Sequence, residues 1–199
     1  MSAQMLEARE ELLALLRSGA RGEAQRQGPR VRELILELER TTPVDLAAPA
    51  ALELLEGVWE LRWSSSSQPY LQAVPWLENL QILAPSRGRA LNLLRPPGQL
   101  ASLGGIAVEA SIQLESSPGE NSPTPQQRVQ VRFQRGGWRG PLLGGTRLQL
   151  QREVQQGFPA WLDITVLSQQ LRLCRGNAGT IFALLRRPDL AVADFFDNQ

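Results

Sequence analysis

The spacing of hydrophobic residues changes at Gly57. Before this residue, apolar positions recur at helical spacing, and after it they alternate with polar positions as in a strand. The strongest helical pattern follows Pro29, which stands where a first helical residue is favoured. Its apolar positions, spaced i, i+3, i+4 and i+7, are Val31, Leu34, Ile35 and Leu38. The sequence therefore predicts an amphipathic helix beginning near Pro29.

Two further helical segments are predicted in this first part of the chain. Residues 2–17 have Ser2 as a candidate N-cap, leucines near one face, and Gly19 beyond the end. A shorter helical turn covers residues 50–55, because Pro49 precedes it and a glycine stops it. We therefore expect residues 1–56 to form an N-terminal helical extension.

From Gly57 onward the pattern predicts a succession of short strands. Trp59, Leu61 and Trp63 are spaced to share one side of the first strand. No later helical stretch is long enough for parallel crossovers, and closing an antiparallel meander removes its exposed edges. The sequence therefore predicts a mainly β protein, with an antiparallel barrel of about eight strands over residues 57–187. The strand candidates lie near residues 58–63, 80–83, 89–94, 106–115, 129–133, 148–151, 161–167, 171–175 and 180–186.

Three segments are predicted to lie outside the regular strands. Residues 116–125, with the sequence SSPGENSPTP, contain too few apolar side chains to pack and are expected to form an exposed hairpin loop. Residues 135–145 are glycine-rich and are expected to form a second connection. Residues 188–199 form a C-terminal tail, either an amphipathic turn or a frayed end.

Charge and apolar run length narrow the class of protein. The chain has 21 basic residues, all of them arginine, and 20 acidic residues, so it lacks the basic excess typical of nucleic-acid binders. Its longest apolar runs are about five residues, whereas a spanning helix needs ~20. Acidic residues among the first leucines do not fit a signal or transit peptide. We therefore expect a cytoplasmic monomer that binds no nucleic acid.

The residue types needed for common catalytic and metal sites are missing. The 199 residues contain no histidine and no lysine, and a single cysteine, Cys174. This excludes serine–histidine and cysteine–histidine catalysis and an internal disulfide, and we expect no metal and no cofactor. An enzyme would have to use Asp163, Glu109 or a bound cofactor, so the prediction is a protein that is not an enzyme. Cys174 is interpreted as a strand residue rather than a reactive thiol.

Two segments resemble one known family. Residues 54–65, with the sequence LLEGVWELRWSS, are similar to its L-x-G-x-W-x-L-x-Y-T/S-S pattern. Residues 171–184, with the sequence LRLCRGNAGTIFAL, follow Trp161-Leu162-Asp163 and are similar to its closing L-R-I-x-R-G-x-x-G-x-x-F-V-L. The family is that of the plastid lipid-associated proteins, or fibrillins, of cyanobacteria and plastids. The chain departs from the family at Ser168-Gln169-Gln170, which replaces an acidic step, and at Trp63, where tyrosine is usual.

The resemblance implies a lipocalin-like barrel and a lipid-related function. The first functional hypothesis is that the barrel binds a hydrophobic small molecule, such as a carotenoid, a prenylquinone, a fatty acid or another lipid. It includes peripheral association with photosynthetic membranes, such as the thylakoid. The alternative hypothesis is a structural or assembly factor on thylakoid or lipid-body surfaces, with its barrel filled by side chains and without an enclosed ligand.

Aromatic side chains are the main candidates for contact with such a ligand, because apolar pockets use large rings and few polar groups. A second interpretation is that they fill the closed end of the barrel. For Trp59, the tryptophan of a lipocalin-like Gly57-x-Trp59 step, we favour the closed end and a structural role; for Trp63 both interpretations stay open. The candidate lining residues are Trp63, Leu61, Phe133, Trp161 and Phe182.

The closing motif contains arginines and glycines that also have two interpretations. A phosphate loop needs a helix after it, but residues 180–185 have the pattern of a strand. We therefore expect Gly176 and Gly179 to supply positive φ angles in a tight hairpin. Arg172 and Arg175 are expected to be structural, with one of them stacked on Trp59.

A third group of candidates lies at the expected glycine-rich connection. Arg135, Trp138 and Arg139 resemble an RNA-binding RGG segment, yet a single copy on a nearly neutral chain is weak support. An exposed tryptophan between arginines also suits an anionic membrane surface. The third interpretation, a hairpin without a binding role, is favoured over both, and the membrane contact stays a candidate.

Overall fold

The computed structural model describes residues 3–19, 21–40, 44–115 and 127–196. Its α-helices are α1 (Ala3–Arg17), α2 (Glu23–Arg26), α3 (Gly28–Leu38) and α4 (Pro49–Leu55). The three predicted helical segments are present, whereas the short α2 was not predicted. Within the described residues, no helix is both long and apolar enough to cross a bilayer. The predicted loop at residues 116–125 lies outside the described residues.

Nine strands lie within the described part of the chain, and all of their pairings are antiparallel. Their order in the sheet is β4-β3-β2-β1-β9-β8-β7-β5-β6, and β4 also pairs with β5. The β4–β5 pairing closes eight strands into a barrel, with β6 outside the closed ring. The strands are β1 (Gly57–Ser64), β2 (Glu78–Ala84), β3 (Arg89–Arg95), β4 (Gly105–Leu114), β5 (Arg128–Leu143), β6 (Thr146–Glu153), β7 (Ala160–Leu167), β8 (Leu171–Gly176) and β9 (Ile181–Arg186).

The prediction of a mainly β, antiparallel barrel of about eight strands is confirmed, but one predicted connection is wrong. Residues 135–143 belong to the 16-residue strand β5, which pairs with β4 on one side. On its other side, β5 pairs first with β7 and then with β6. The hairpin turn comes later, at Gly144 and Gly145, which have φ angles of 57° and 81°. The glycines at 136 and 137 are strand residues that allow close approach of neighbouring backbones.

A hydrophobic core fills one end of the barrel. Trp59 is fully buried there, together with Leu55 from α4 and Leu46 from the segment before it. Because α4 leads directly into β1, the helix lies over the end of the barrel at which β1 begins. This end is therefore closed by the chain that precedes the first strand.

The outside of the barrel is covered by two separate layers. Helices α1 and α3 pack on β1, β8 and β9, burying leucines together with Trp63. The second layer is the C-terminal tail, whose Phe195 and Phe196 pack against Val58 and the outward side chains of β2 and β3. The guanidinium groups of Arg95 and Arg89 lie 5.6 Å and 4.8 Å from the two phenylalanine rings. The described part of the tail is therefore docked rather than frayed.

Buried carboxylates lie between these two layers. Glu78 accepts hydrogen bonds from Arg95, Arg187 and Arg21, at distances of 2.8 to 3.0 Å. Burial raises the pKa of Glu78, but the hydrogen bonds from Arg95 and Arg187 outweigh it and leave the pKa below its ordinary value. Arg21 and Arg187 also bind Glu60. Because Arg21 precedes α2 and Arg187 begins the tail, this network connects both covering layers to the sheet.

Gly57 makes the junction between α4 and β1 possible. Arg186 of β9 donates hydrogen bonds to the carbonyl oxygens of Glu56 and Leu54, so its guanidinium lies against the backbone of this junction. A Cβ atom at Gly57 would lie 2.5 Å from Arg186 Nη1, and its φ of 152° is one that other residues rarely adopt. The glycine is therefore required by both space and backbone conformation.

We predict that Gly57→Ala lowers the free energy of unfolding by about 1 to 3 kcal/mol, because the methyl group displaces Arg186 and the backbone is strained. Urea unfolding monitored by circular dichroism measures the change. The matched control is Gly157→Ala, since a Cβ atom there meets no atom within 4 Å. Equal stability of the two variants would contradict the prediction.

Candidate functional site

An apolar cavity of about 430 Å³ occupies the rest of the barrel interior. Leu55 lies at its closed end, and small side chains such as Ala90 and Ala110 form parts of its wall. The other end is bordered by Gln68 and Tyr70, which follow β1, and by the β8–β9 turn. The cavity therefore extends from the end that α4 covers to a mouth at the opposite end of the barrel.

The predicted lining residues divide between three environments. Phe133, Trp161 and Phe182 line the cavity. Leu61 is buried in the interior core next to Trp59 but is not part of the cavity wall. Trp63 lies outside the barrel, against α1 and α3. The prediction that Trp63 shares a face with Trp59 and Leu61 is corrected by a register shift between Leu61 and Trp63, which turns the tryptophan to the other side of the strand.

Trp59 connects α4 to the interior of the barrel. Its indole Nε1 donates a hydrogen bond of 3.0 Å to the carbonyl oxygen of Leu55, the last residue of α4. Two guanidinium groups lie by the ring, that of Arg186 at 4.6 Å and that of Arg172 at 5.3 Å from its centroid. The indole therefore has its polar atom satisfied and its ring in contact with cations. Arg186 had not been predicted, because nothing in the local sequence indicates that β9 lies beside β1.

Arg172 faces the cavity and is completely buried, at 0 % exposure. Its neighbours Leu171 and Leu173 point outward to the helices, so alternation along β8 turns Arg172 and Cys174 inward. Its Nη2 donates a hydrogen bond to Gln81 Oε1. Nε and Nη1 have no hydrogen-bond partner among the described residues. Burial lowers the pKa of Arg172 and raises the pKa of the adjacent Cys174 thiol, which is therefore neutral at pH 7.

Arg175, Gly176 and Gly179 are the other residues of the closing motif that were predicted to be structural. Arg175 points outward and forms an ion pair with Glu39, which follows α3. Gly179 has a φ of 73° in the β8–β9 turn, as expected. Gly176, however, is the last residue of β8 and is not among the glycines with a positive φ, which corrects the expectation for this residue. Only one of the two glycines therefore carries the turn conformation.

The candidate membrane loop is a strand, and its charges are engaged within the protein. Arg135 forms an ion pair with Glu109 of β4 at 2.8 Å. Arg139 is buried, lies 3.6 Å from Glu109, and donates a hydrogen bond to the carbonyl oxygen of Phe195 in the tail. These arginines therefore have an acidic partner from another strand, far away in the sequence, and their contact with lipid phosphates stays a prediction. Trp138 remains partly exposed, at 38 %.

The carboxylates considered for catalysis are held in ion pairs. Asp163 accepts two hydrogen bonds from Arg128, at 2.7 and 3.0 Å, and these raise the pKa of Arg128. The same guanidinium lies 3.8 Å from the centroid of Trp161, so the pair positions this ring at the cavity wall. Glu109 pairs with arginines of β5. In the described ranges, no cluster of acidic, cysteine or histidine residues is arranged to hold a metal ion.

An exposed apolar row across β4, β5 and β6 was not predicted as a unit. Ile106 on β4 alternates with Ala110 and Ile112, which line the cavity, so it lies on the same face of the sheet. Trp138 pairs directly with Ile106, and Leu150 of β6 pairs with Trp138. Their exposures are 54 % for Ile106 and 73 % for Leu150. This mouth row, Ile106–Trp138–Leu150, continues the apolar inner face beyond the barrel.

Comparison with known proteins gives one match. The family model PAP_fibrillin, which stands for the plastid lipid-associated proteins, matches residues 7–185. No curated protein and no solved structure matches the chain significantly. The matched range includes the helices α3 and α4 and all nine strands except the last residue of β9.

We predict that Trp59→Ala lowers the free energy of unfolding by roughly 3 to 5 kcal/mol, because it opens a void in the closed end and removes the hydrogen bond to Leu55. Thermal and urea unfolding measure the loss. Trp76→Ala is the matched control, since Trp76 is 68 % exposed and its removal leaves the core unchanged. If Trp59→Ala unfolds like wild type but no longer binds ligand, Trp59 belongs to the binding site instead.

Proposed function

The chain belongs to the PAP_fibrillin family of lipid-associated proteins, and we propose that its barrel binds one hydrophobic small molecule without catalysing a reaction. The ligand classes considered are carotenoids, prenylquinones, fatty acids and other lipids. The proposed setting is the surface of a photosynthetic membrane, where such molecules are concentrated.

The cavity is the observation that carries this proposal. An eight-stranded barrel is either filled by its own side chains or left with room for one small ligand. Here Trp59 and Leu61 fill only the closed end, and the remaining space of about 430 Å³ is within the range of ligand sites. At roughly 30 Å³ per water-sized group, it accommodates on the order of 14 such groups. One acyl chain, or a ring with its first prenyl units, fits that volume.

The lining chemistry supports an apolar ligand. Phe133, Trp161 and Phe182 contribute large apolar surfaces, and most other lining side chains are aliphatic. A few polar groups, among them Gln81 and Asn92, project into the same space, which is the combination that fixes the orientation of a bound molecule. The opposing hypothesis, a barrel filled by side chains, requires the closed end to continue through the whole interior.

A second candidate function, contact with a lipid surface, is supported by the mouth row. Exposed large apolar side chains on neighbouring strands form a continuous patch rather than isolated positions. The patch lies on the same face of the sheet as the cavity lining, and in this proposal it borders the opening of the cavity. We propose that it touches the membrane from which the ligand enters. Because Arg135 and Arg139 are paired internally, this contact is apolar and depends little on salt.

We predict that Ala110→Phe reduces binding of the neutral probe Nile red at least tenfold, because the ring occupies space that the ligand needs. Ala110 lines the cavity and has no other large contact to lose. Fluorescence titration measures the affinity, and thermal unfolding is expected to stay within a few degrees of wild type because the ring fills a void.

The matched control for the cavity variant is Ala14→Phe, at an exposed position of α1. This variant is expected to bind Nile red like wild type. If Ala110→Phe also binds like wild type, the dye binds elsewhere and the barrel is not the ligand site.

We predict that the double variant Trp138→Ser, Leu150→Ser binds lipid vesicles at least tenfold more weakly than wild type. The two side chains contribute on the order of 1 kcal/mol each when their apolar surface leaves water, and 1.4 kcal/mol is a tenfold change in affinity. Co-sedimentation with neutral and with anionic vesicles, at low and high salt, measures the binding.

The control for the vesicle experiment is Leu6→Ser, Leu36→Ser, which removes two exposed leucines of the helices α1 and α3. It is expected to sediment with vesicles like wild type. Equal binding by the mouth-row variant, or binding that disappears at high salt, would contradict an apolar contact at the mouth.

A further inference from the structure

One polar group of the cavity wall, the guanidinium of Arg172, is a cation without a counter-ion in the part of the chain that the structure describes. The guanidinium of Arg172 is fully buried, and its hydrogen-bond acceptor is the neutral amide oxygen of Gln81. Within the described ranges, no carboxylate forms an ion pair with Arg172. The neighbouring Cys174 thiol is neutral, since burial raises its pKa. Two of the three guanidinium nitrogens, Nε and Nη1, have no hydrogen-bonded oxygen or nitrogen acceptor among the described residues, and their polar neighbour is the Cys174 thiol.

Burying Arg172 without a counter-ion lowers the stability of the protein when no ligand is bound. An arginine stays protonated in proteins, so it cannot relieve its burial by losing a proton. Buried charges are ordinarily paired, and an unpaired one is expensive because water is removed and nothing replaces it. The second arginine by Trp59, Arg186, adds to the positive charge rather than compensating it, and its Nη atoms are occupied by backbone carbonyls. The buried charge of Arg172 is therefore not balanced by a carboxylate of the described residues, whereas Arg186 is bound by carbonyl oxygens at the end of α4.

We propose that Arg172 binds the carboxylate of a fatty acid whose chain lies along the cavity toward the mouth. This inference rests on the proposed ligand-binding function and assigns the chemical class of the ligand. The head is placed at the closed end because Arg172 lies by Trp59 there, while the apolar side chains Phe133, Val131 and Ala160 of the wall are left for the chain. The free Nε–H and Nη1–H groups donate to the carboxylate oxygens.

The single positive charge of Arg172 favours a ligand that carries one negative charge. One guanidinium without a counter-ion matches one carboxylate, whereas a phosphate monoester brings up to two negative charges and needs further donors. The additional polar side chains at hand are the amides of Gln81 and Asn92, which are cross-strand partners on β2 and β3. A neutral alcohol, ester or quinone would fill the same space but leave Arg172 unpaired.

The competing explanation is that Arg172 only stabilises the fold by stacking on Trp59. The two roles differ in what the apolar substitution Arg172→Met does without ligand. If the arginine is an unpaired charge kept for a ligand, its replacement leaves the melting temperature equal or higher, because a buried charge is removed. If it is a structural contact, the melting temperature falls and ligand selectivity is unchanged.

The test compares laurate, lauryl alcohol, methyl laurate and lauryl phosphate as competitors of bound Nile red, on the full chain at neutral pH. Wild type is expected to bind laurate at least tenfold more tightly than the alcohol or the ester. Arg172→Met is expected to lose this preference while its affinity for lauryl alcohol changes less than threefold. Arg172→Lys, which keeps the charge, is expected to retain part of the preference.

The control variant is Arg175→Met, which removes the arginine of the same strand that points outward to Glu39. It is expected to keep the preference for laurate. Equal affinity of wild type for laurate and lauryl alcohol overturns the carboxylate site, and tighter binding of lauryl phosphate overturns the choice of a monoanion. Failure of Nile red and of every lauryl compound to bind wild type overturns the proposed function itself. If Arg172→Met does not fold, the wild-type series and Arg172→Lys decide the question.

Discussion

The pairing of the first strand, β1, with the last strand, β9, is the constraint on which the other features depend. It brings Arg186 from the end of the last strand against Gly57 and the last turn of α4. Trp59 then lies with its ring beside two guanidinium groups and its indole nitrogen bound to Leu55. One aromatic side chain therefore joins the first strand, the last strand and the helix that covers the closed end.

Closure of the barrel also determines where the charged side chains lie. Strands that face the interior on one side present their other side to the helices and to the tail, so both faces of most strands are covered. Carboxylates that fall between the two covering layers, Glu60 and Glu78, are surrounded by arginines from both. A nearly neutral chain whose basic residues are all arginine suits this arrangement, since the planar guanidinium binds several acceptors at once. Many of the charged side chains therefore stabilise the fold through ion pairs.

Arg172 differs from these arginines, because it is buried without a carboxylate partner among the described residues. Outward-facing arginines such as Arg175 and Arg187 have carboxylate partners, whereas the inward-facing Arg172 has an amide and an apolar cavity. The other charged side chains that are buried to this degree, Glu60, Glu78, Glu109 and Arg139, have ion-pair partners. The cavity, the missing counter-ion and the mouth row together fit a ligand with a charged head and an apolar tail, taken up from a lipid surface.

The sequence alone determined most of the elements, the barrel and the family, because alternation of apolar residues and the spacing of the two family segments are local properties; the short helix α2 and the length of β5 were missed. It also indicated that Phe133, Trp161 and Phe182 share an apolar surface. Only the tertiary structure decided which way individual side chains point. A single register shift after Leu61 turns Trp63 outward, and Glu109 from a distant strand forms an ion pair with Arg135. Whether a carboxylate of the described residues reaches Arg172 depends on every strand around the cavity. These outcomes depend on partners far apart in the chain, and no local pattern encodes them.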